Sequence, residues 1–198
     1  MSSQDGKRYE YYESKAEEFY SNTIDVDLSA LYDRFCVHLK PNTRLLDAGC
    51  GSGRDASQFV KMGYRVDAFD VSPEMVRLAR ARTGIDAVVS DFYDYKPDVT
   101  YDGIWCCASL LHVPLSSLEK VIQNMSEYLK PNGVWYMSFK RGVTERVKDG
   151  RYFTDLDEAM FNDIIGKFEV LKVHSVWETL DARPDRDEVW LNAIVKKV

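Results

Sequence analysis

Apolar side chains recur at helical spacing twice before residue 40, and the pattern then changes to short strand-like runs. Tyr9, Tyr12, Ala16, Phe19 and Tyr20 fall on one helical face, with Glu13, Lys15 and Glu17 turned away. A polar break over 21–27 leads to a second stripe: Leu28, Leu31, Tyr32, Phe35 and Leu39. Asp27 caps this helix and Lys40-Pro41 ends it. Residues 43–48 are almost continuously apolar, as expected of a strand buried on both faces of a parallel sheet. Residues 64–70, 86–89, 101–108 and 134–139 read as further strands, and 55–62, 73–82 and 115–129 as the helices between them. Ser72 at the N-cap and Pro73 at the first helical position mark one start, and Lys130-Pro131-Asn132-Gly133 marks one stop.

This alternation requires right-handed crossovers and a parallel sheet covered by helices on both sides. The tail is different. A helix over 155–166 is followed by strands over 168–176 and 188–197, joined by a stretch without helical pattern. Such a pair closes as an antiparallel hairpin more readily than as another crossover unit. The expected architecture is a parallel core with a terminal hairpin.

Composition narrows the classes. The chain has 198 residues, 45% of them apolar and 13% aromatic, enough for a core that needs no disulfide or metal staple. One domain over 1–198 is expected, with 1–40 as a helical lid and 43–198 as the sheet with its loops. That length leaves no room for a nucleotide-binding domain beside a separate catalytic one. A net charge of −6 argues against binding nucleic acid by bulk charge. Cys36, Cys50, Cys106 and Cys107 form no C-x-x-C pair or zinc-type cluster, so free thiols in a reducing compartment and no metal are expected. The N-terminus has no apolar signal region, and no apolar run approaches the roughly 20 residues of a membrane span. A soluble cytoplasmic protein, monomer or homodimer, is the expectation.

The chemistry concentrates at Asp47-Ala48-Gly49-Cys50-Gly51-Ser52-Gly53-Arg54, where the first strand turns into a helix. Alternate glycines permit positive φ and let a ligand approach the backbone, while the next helix presents its N–H groups to the crevice. Ligands of open α/β sheets bind at this end of the strands. Gly51-x-Gly53-x-x-Ala56 also fits a dinucleotide fingerprint, and Asp70 at the end of the next strand suits ribose hydroxyls under either reading. Three features favour S-adenosylmethionine over NAD. Asp47 ahead of the turn would repel a pyrophosphate, but can accept from an ammonium or order the loop. Asp91-Phe92 closes the third strand with a carboxylate and a ring suited to adenine. A dehydrogenase would also need a substrate domain, for which the chain has no length.

These segments, with Val71-Ser72-Pro73-Glu74-Met75, Tyr101-Asp102-Gly103-Ile104 and Leu129-Lys130-Pro131-Asn132-Gly133, resemble the successive motifs of class I S-adenosylmethionine-dependent methyltransferases. The resemblance runs from about Tyr11 to the C-terminus. It implies an α/β, Rossmann-like three-layer sandwich with a seven-stranded, mostly parallel sheet whose last strand is antiparallel. It also implies that Gly49, Gly51 and Gly53 surround the amino-acid end of the donor and that Asp70 holds its ribose. Val71 and Met75 would lie against the adenine, with Asp91 and Phe92 on its edge and face. Ala108, Ser109 and Leu110 would offer backbone oxygen to the ammonium and line the methyl's exit. Arg54 either pairs the donor carboxylate or faces solvent, and Tyr20 either closes over that carboxylate or belongs to the core.

Methyl transfer leaves S-adenosyl-L-homocysteine and asks the protein mainly for alignment. His112, just past the fourth strand, is the candidate base, the alternative being a role in shaping the loop before Pro114; His38 and His174 read as structural. The 140–153 segment reads as a loop with five basic and two acidic residues, suited to an anionic acceptor or RNA phosphate, or simply a solvated loop. Arg151-Tyr152-Phe153-Thr154 and Trp190-Leu191-Asn192 are similar to features of two subgroups: compact small-molecule methyltransferases and tRNA wobble-uridine methyltransferases. A small-molecule acceptor is favoured, with the tRNA enzyme and a donor-binding protein without turnover as alternatives.

Overall fold

Alternation of side chains along the strands decides the layering. In the computed structural model, which describes residues 15–183 and 186–198 but not the Phe19 side chain, β1 (Arg44–Ala48) turns Leu46 and Ala48 to one face and Leu45 to the other, all fully buried. β1 pairs in parallel with β2 (Arg65–Asp70) and β4 (Tyr101–Cys106). β2 pairs with the short β3 (Val88–Val89), and β4 with β5 (Leu129–Lys140). β8 (Leu171–Leu180) and β9 (Val189–Lys197) form the terminal hairpin, with β9 inserted antiparallel against β5. The order β3-β2-β1-β4-β5-β9-β8 is the seven-stranded sheet with an antiparallel last strand.

Helices cover both faces. On one side lie α1 (Ala16–Thr23), α2 (Ser29–Cys36), α3 (Arg54–Lys61) and α4 (Pro73–Thr83). There Tyr32, Phe35, Phe59, Trp105 and Tyr136 pack as one aromatic cluster, with Trp105 and Tyr136 stacked at 3.9 Å between ring centres. On the other side, α5 (Leu115–Glu127) and α6 (Glu158–Ile165) bury Leu118, Val121, Ile122, Phe161 and Ile165 against Ile104, Trp135, Met137 and Phe139. Ser72 accepts from the Met75 N–H at the start of α4, as its position before Pro73 predicts. His38 and His174 meet edge to face at 4.7 Å, joining the end of the second helical stripe to β8.

Two expectations change. The sequence 130–133 is not a clean stop between helix and strand, because Tyr101 already pairs with Leu129; the four residues form an irregularity before Gly103 pairs with Val134. The 140–153 segment is not a loop. β6 (Glu145–Lys148) and β7 (Arg151–Thr154) make a separate hairpin closed by Asp149 and Gly150, both at positive φ, which matches the twist of paired strands. Residues 1–14 of the expected helical lid, with Tyr9 and Tyr12 of its first stripe, lie outside the described residues. Among the described residues no helix is long and apolar enough to cross a membrane.

Candidate active site

The carboxyl ends of β1, β2 and β4 open into a cavity of about 430 Å³, a size typical of small-molecule sites (about 300–1,000 Å³). Its floor is the turn after β1. Gly49 sits at φ 77° with its Cα facing Ser109, and a Cβ there would meet the Ser109 Cβ at 2.5 Å. Glycine is therefore required twice over, by conformation and by the closeness of the two loops. The Ser109 hydroxyl donates to the Ala48 carbonyl at 2.7 Å and ties these loops together. Ala108 holds φ 52°, a left-handed conformation rare for alanine, and its N–H donates to the Ser138 hydroxyl at 2.8 Å.

Asp70 and Asp91 stand on the same wall. Asp70 accepts from the Gly51 N–H at 2.9 Å and the Ser72 N–H at 3.0 Å, joining the glycine turn to the end of β2. Burial pulls the Asp70 carboxyl up from its ordinary value, and these backbone donors oppose the rise. Asp91 accepts from the N–H groups of Tyr93 and Asp94, both on Oδ1, which leaves Oδ2 for another donor. Val71, Met75 and Phe92 line the cavity beside these carboxylates, with Gly49, Gly51, Ala108, Ser109 and His112. The first two helices and their connection line it too, through residues such as Asn22, Val26, Leu28 and Leu31.

Four of the expected site residues fall outside the cavity lining. Asp47 is buried and accepts from the Ala56 N–H at 2.9 Å, tying the end of β1 to the first turn of α3. Burial, then repulsion from Asp55, raises its carboxyl well above the usual range. Gly53 (φ 81°) lies against α4, where a Cβ would meet the Ala79 Cα at 2.9 Å; its need for glycine is helix packing. The Tyr20 hydroxyl accepts from Arg82 at 3.3 Å, at the outer end of α4 rather than over the cavity. Leu110 is fully buried in the core, and its neighbour Leu111 reaches the lining.

Arg54 does not face solvent. It forms a two-pronged pair with Asp55 (2.6 and 3.0 Å) and its guanidinium reaches the Cys107 Sγ at 3.8 Å on the cavity wall. Asp55 is buried, yet Arg54 holds its carboxyl below the ordinary value against the cost of burial. It also accepts from the Tyr32 hydroxyl at 2.7 Å and the Trp105 indole N–H at 2.8 Å. One carboxylate thus joins α2, α3 and β4 at the cavity wall. The adjacent Cys107 thiol is pushed up to about 12 by burial and by Asp55, so it is protonated and unreactive at neutral pH.

His112 lies in a short 3₁₀ turn over Leu110–His112, buried beside Phe153 at 4.9 Å between rings. Its Nδ1 meets the Tyr152 carbonyl at 2.7 Å; a carbonyl only accepts, so Nδ1 carries a proton. The end of β5, strand β7, the β8–β9 connection and β9 supply the far wall: Lys140, Arg151, Phe153, Arg183, Trp190 and Asn192. Arg151 and Phe153, and Trp190 and Asn192, come from the two stretches whose sequence is similar to features of methyltransferase subgroups. Asp55, Tyr32 and Trp105 had no such signal, since a carboxylate after an arginine at a helix start reads equally well as a solvated pair.

Residues 45–133 match the family model described as "Methyltransferase domain". The chain is 31% identical over 106 residues to the ubiquinone biosynthesis O-methyltransferase of Xanthomonas campestris pv. campestris, a match covering 50% of this chain and 43% of the relative. The chain thus matches less than half the length of that relative. Solved structures extend the likeness along nearly the whole chain. The 1,6-didemethyltoxoflavin-N1-methyltransferase of Burkholderia thailandensis, with bound 1,6-didemethyltoxoflavin and S-adenosylhomocysteine, superposes with TM-score 0.80 at 20% identity, over 98% of this chain and 88% of that one. The N-methyltransferase NodS of Bradyrhizobium japonicum, with S-adenosylhomocysteine, gives 0.75 at 18% identity over 96% and 98%.

Proposed function

From a chain whose residues 45–133 belong to the methyltransferase-domain family, in a fold shared with class I S-adenosylmethionine-dependent methyltransferases, we propose a methyltransferase that moves a methyl group from S-adenosylmethionine to a nucleophilic N, O or S atom of a small molecule. The observation that carries this reading is the cavity itself. Two strand-end carboxylates, Asp70 and Asp91, flank a glycine turn where Gly49 leaves no room for a Cβ, and the same cavity continues to a second wall of different chemistry.

The donor supplies an activated methyl on a sulfonium, whose carbon–sulfur bond breaks as the acceptor's lone pair forms the new bond. Asp70 holds the ribose hydroxyls while Gly51 fixes the carboxylate's direction. Asp91 offers Oδ2 to the adenine amino group, and Phe92, Met75 and Val71 enclose the ring. Gly49, Ala108 and Ser109 pass close to the amino-acid end, with Arg54 held by Asp55 toward its carboxylate. His112 takes the acceptor's proton on Nε2, because its Nδ1–H is committed to Tyr152. The two N-terminal helices act as the lid, and free Cys36, Cys50, Cys106 and Cys107 suit a reducing, cytoplasmic setting. The acceptors in the relatives' names give the tRNA alternative no support.

Transfer of labelled methyl from S-adenosylmethionine to a panel of small phenols, amines and thiols tests the reading. Product from at least one acceptor is expected, and donor binding without product from any would identify a non-catalytic binder. His112→Gln is expected to lower kcat by about 10²–10⁴-fold with donor affinity unchanged. Unaltered turnover would remove His112 from the mechanism.

A further inference from the structure

Arg54 follows the glycine turn directly and lines the cavity, where its Nη2 reaches the Cys107 Sγ, one residue before the left-handed Ala108. The side chain is only 21% exposed, so protein partners rather than water set its direction. Asp55 takes two of its five N–H groups, one on Nε and one on Nη2, and donors remain for an anion in the cavity.

Asp55 is held in turn by two neutral donors. The Tyr32 hydroxyl donates to Oδ1 and the Trp105 indole N–H to Oδ2. Each carboxylate oxygen therefore takes one bond from Arg54 and one from an aromatic side chain. Trp105 belongs to β4, in the rigid sheet. Tyr32 belongs to α2, and the residue before it, Leu31, lines the cavity. The Tyr32 ring meets Phe59 edge to face at 5.4 Å and Trp105 at 5.5 Å, which fixes the line of its hydroxyl. Two effects follow for Arg54. A carboxylate gripped by four donors holds its plane, and so holds the guanidinium forked onto it. The neutral donors also take up part of the Asp55 charge, which leaves more of the Arg54 charge for a ligand.

We propose that Tyr32 is a positioning residue for the methyl donor: through Asp55 it holds the Arg54 guanidinium against the donor's carboxylate, and so couples α2 to the donor's amino-acid end. This rests on the methyltransferase reading above and adds the route by which a lid helix acts on the donor. Tyr32 is not part of the cavity lining and acts only through Asp55.

Calorimetry with two ligands separates this role from a merely structural one. The ligands are S-adenosylhomocysteine and aminopropylthioadenosine, which keeps the adenine, ribose, sulfur and amine but has no carboxylate. Wild-type protein is expected to bind S-adenosylhomocysteine about tenfold or more tighter than the analogue. Tyr32→Phe keeps the buried ring and removes only the hydroxyl. It should weaken S-adenosylhomocysteine about three- to tenfold and leave the analogue's affinity unchanged. Arg54→Lys should reduce the preference by a larger factor, and Tyr32→Phe added to it should change little further. Tyr32→Phe protein that binds S-adenosylhomocysteine like wild type, or that loses both ligands alike, would overturn the proposal. Equal wild-type affinity for the two ligands would overturn it too, with the methyltransferase reading intact. Wild-type protein that takes neither ligand would overturn that reading, and this inference with it.

Discussion

Asp55→Ala is expected to destabilise the protein by about 3–5 kcal/mol, read as a lower urea midpoint at unchanged slope. The magnitude follows from what the substitution leaves behind. Arg54 would keep its charge at the cavity wall without its two-pronged partner, and the buried Tyr32 hydroxyl and Trp105 N–H would lose their acceptor. Asp55→Asn should recover part of the loss, since an amide oxygen still accepts one of those bonds but cannot balance the guanidinium. Removing both charges, as Arg54→Met with Asp55→Leu, should cost less than Asp55→Ala alone. A double mutant as unstable as Asp55→Ala would show that the Tyr32 and Trp105 bonds, not the charge pair, carry the effect.

The same pair has a pH signature. Asp55 titrates below its ordinary value in the folded state because of Arg54. Its contribution to stability is therefore complete above the unfolded carboxylate value of about 3.9, and is lost as pH falls through the lower folded value. Asp47 titrates in the opposite sense: its raised folded value favours the fold below the unfolded value and is lost as pH rises through the folded one. Wild-type stability measured from neutral to acid pH should fall more steeply than that of Asp55→Ala in the most acid range.

Asp70→Ala is expected to weaken S-adenosylhomocysteine about 100-fold or more, by removing a charge-assisted anchor for two hydroxyls. The Gly51 N–H and Ser72 N–H also lose their acceptor, so the glycine turn and the start of α4 loosen together. Asp70→Asn should fall between wild type and alanine. An alanine variant with unchanged affinity would take Asp70 out of the donor site.

The sheet was legible because its strands are short apolar runs closed by distinct signals. Gly49 and Gly51 after β1, Ser72-Pro73 before α4, and the brief connection between β8 and β9 each allow few geometries. That Asp70 and Asp91 share one cavity was legible for the same reason: they stand at strand ends, and topology alone brings strand ends together. Side-chain direction was not legible. Asp47 faces the aromatic layer under α3, and Leu110 turns into the core on the opposite face, although each stands beside residues of the cavity lining. Gly53 matched a cofactor pattern while serving the contact with Ala79. The hairpin β6–β7 did carry a local signal, Asp149-Gly150 between two short β-prone runs, but its dense charge resembles a solvated loop. The far wall depends on that hairpin folding back on β5, a long-range contact that no local pattern specifies.

Titration calorimetry of the purified chain with S-adenosylhomocysteine, with NADH run in parallel, tests the central claim most directly. One site per chain with micromolar affinity, weakened by Asp70→Ala, and no heat from NADH is the predicted result. Tight NADH binding with no response to S-adenosylhomocysteine would contradict the account.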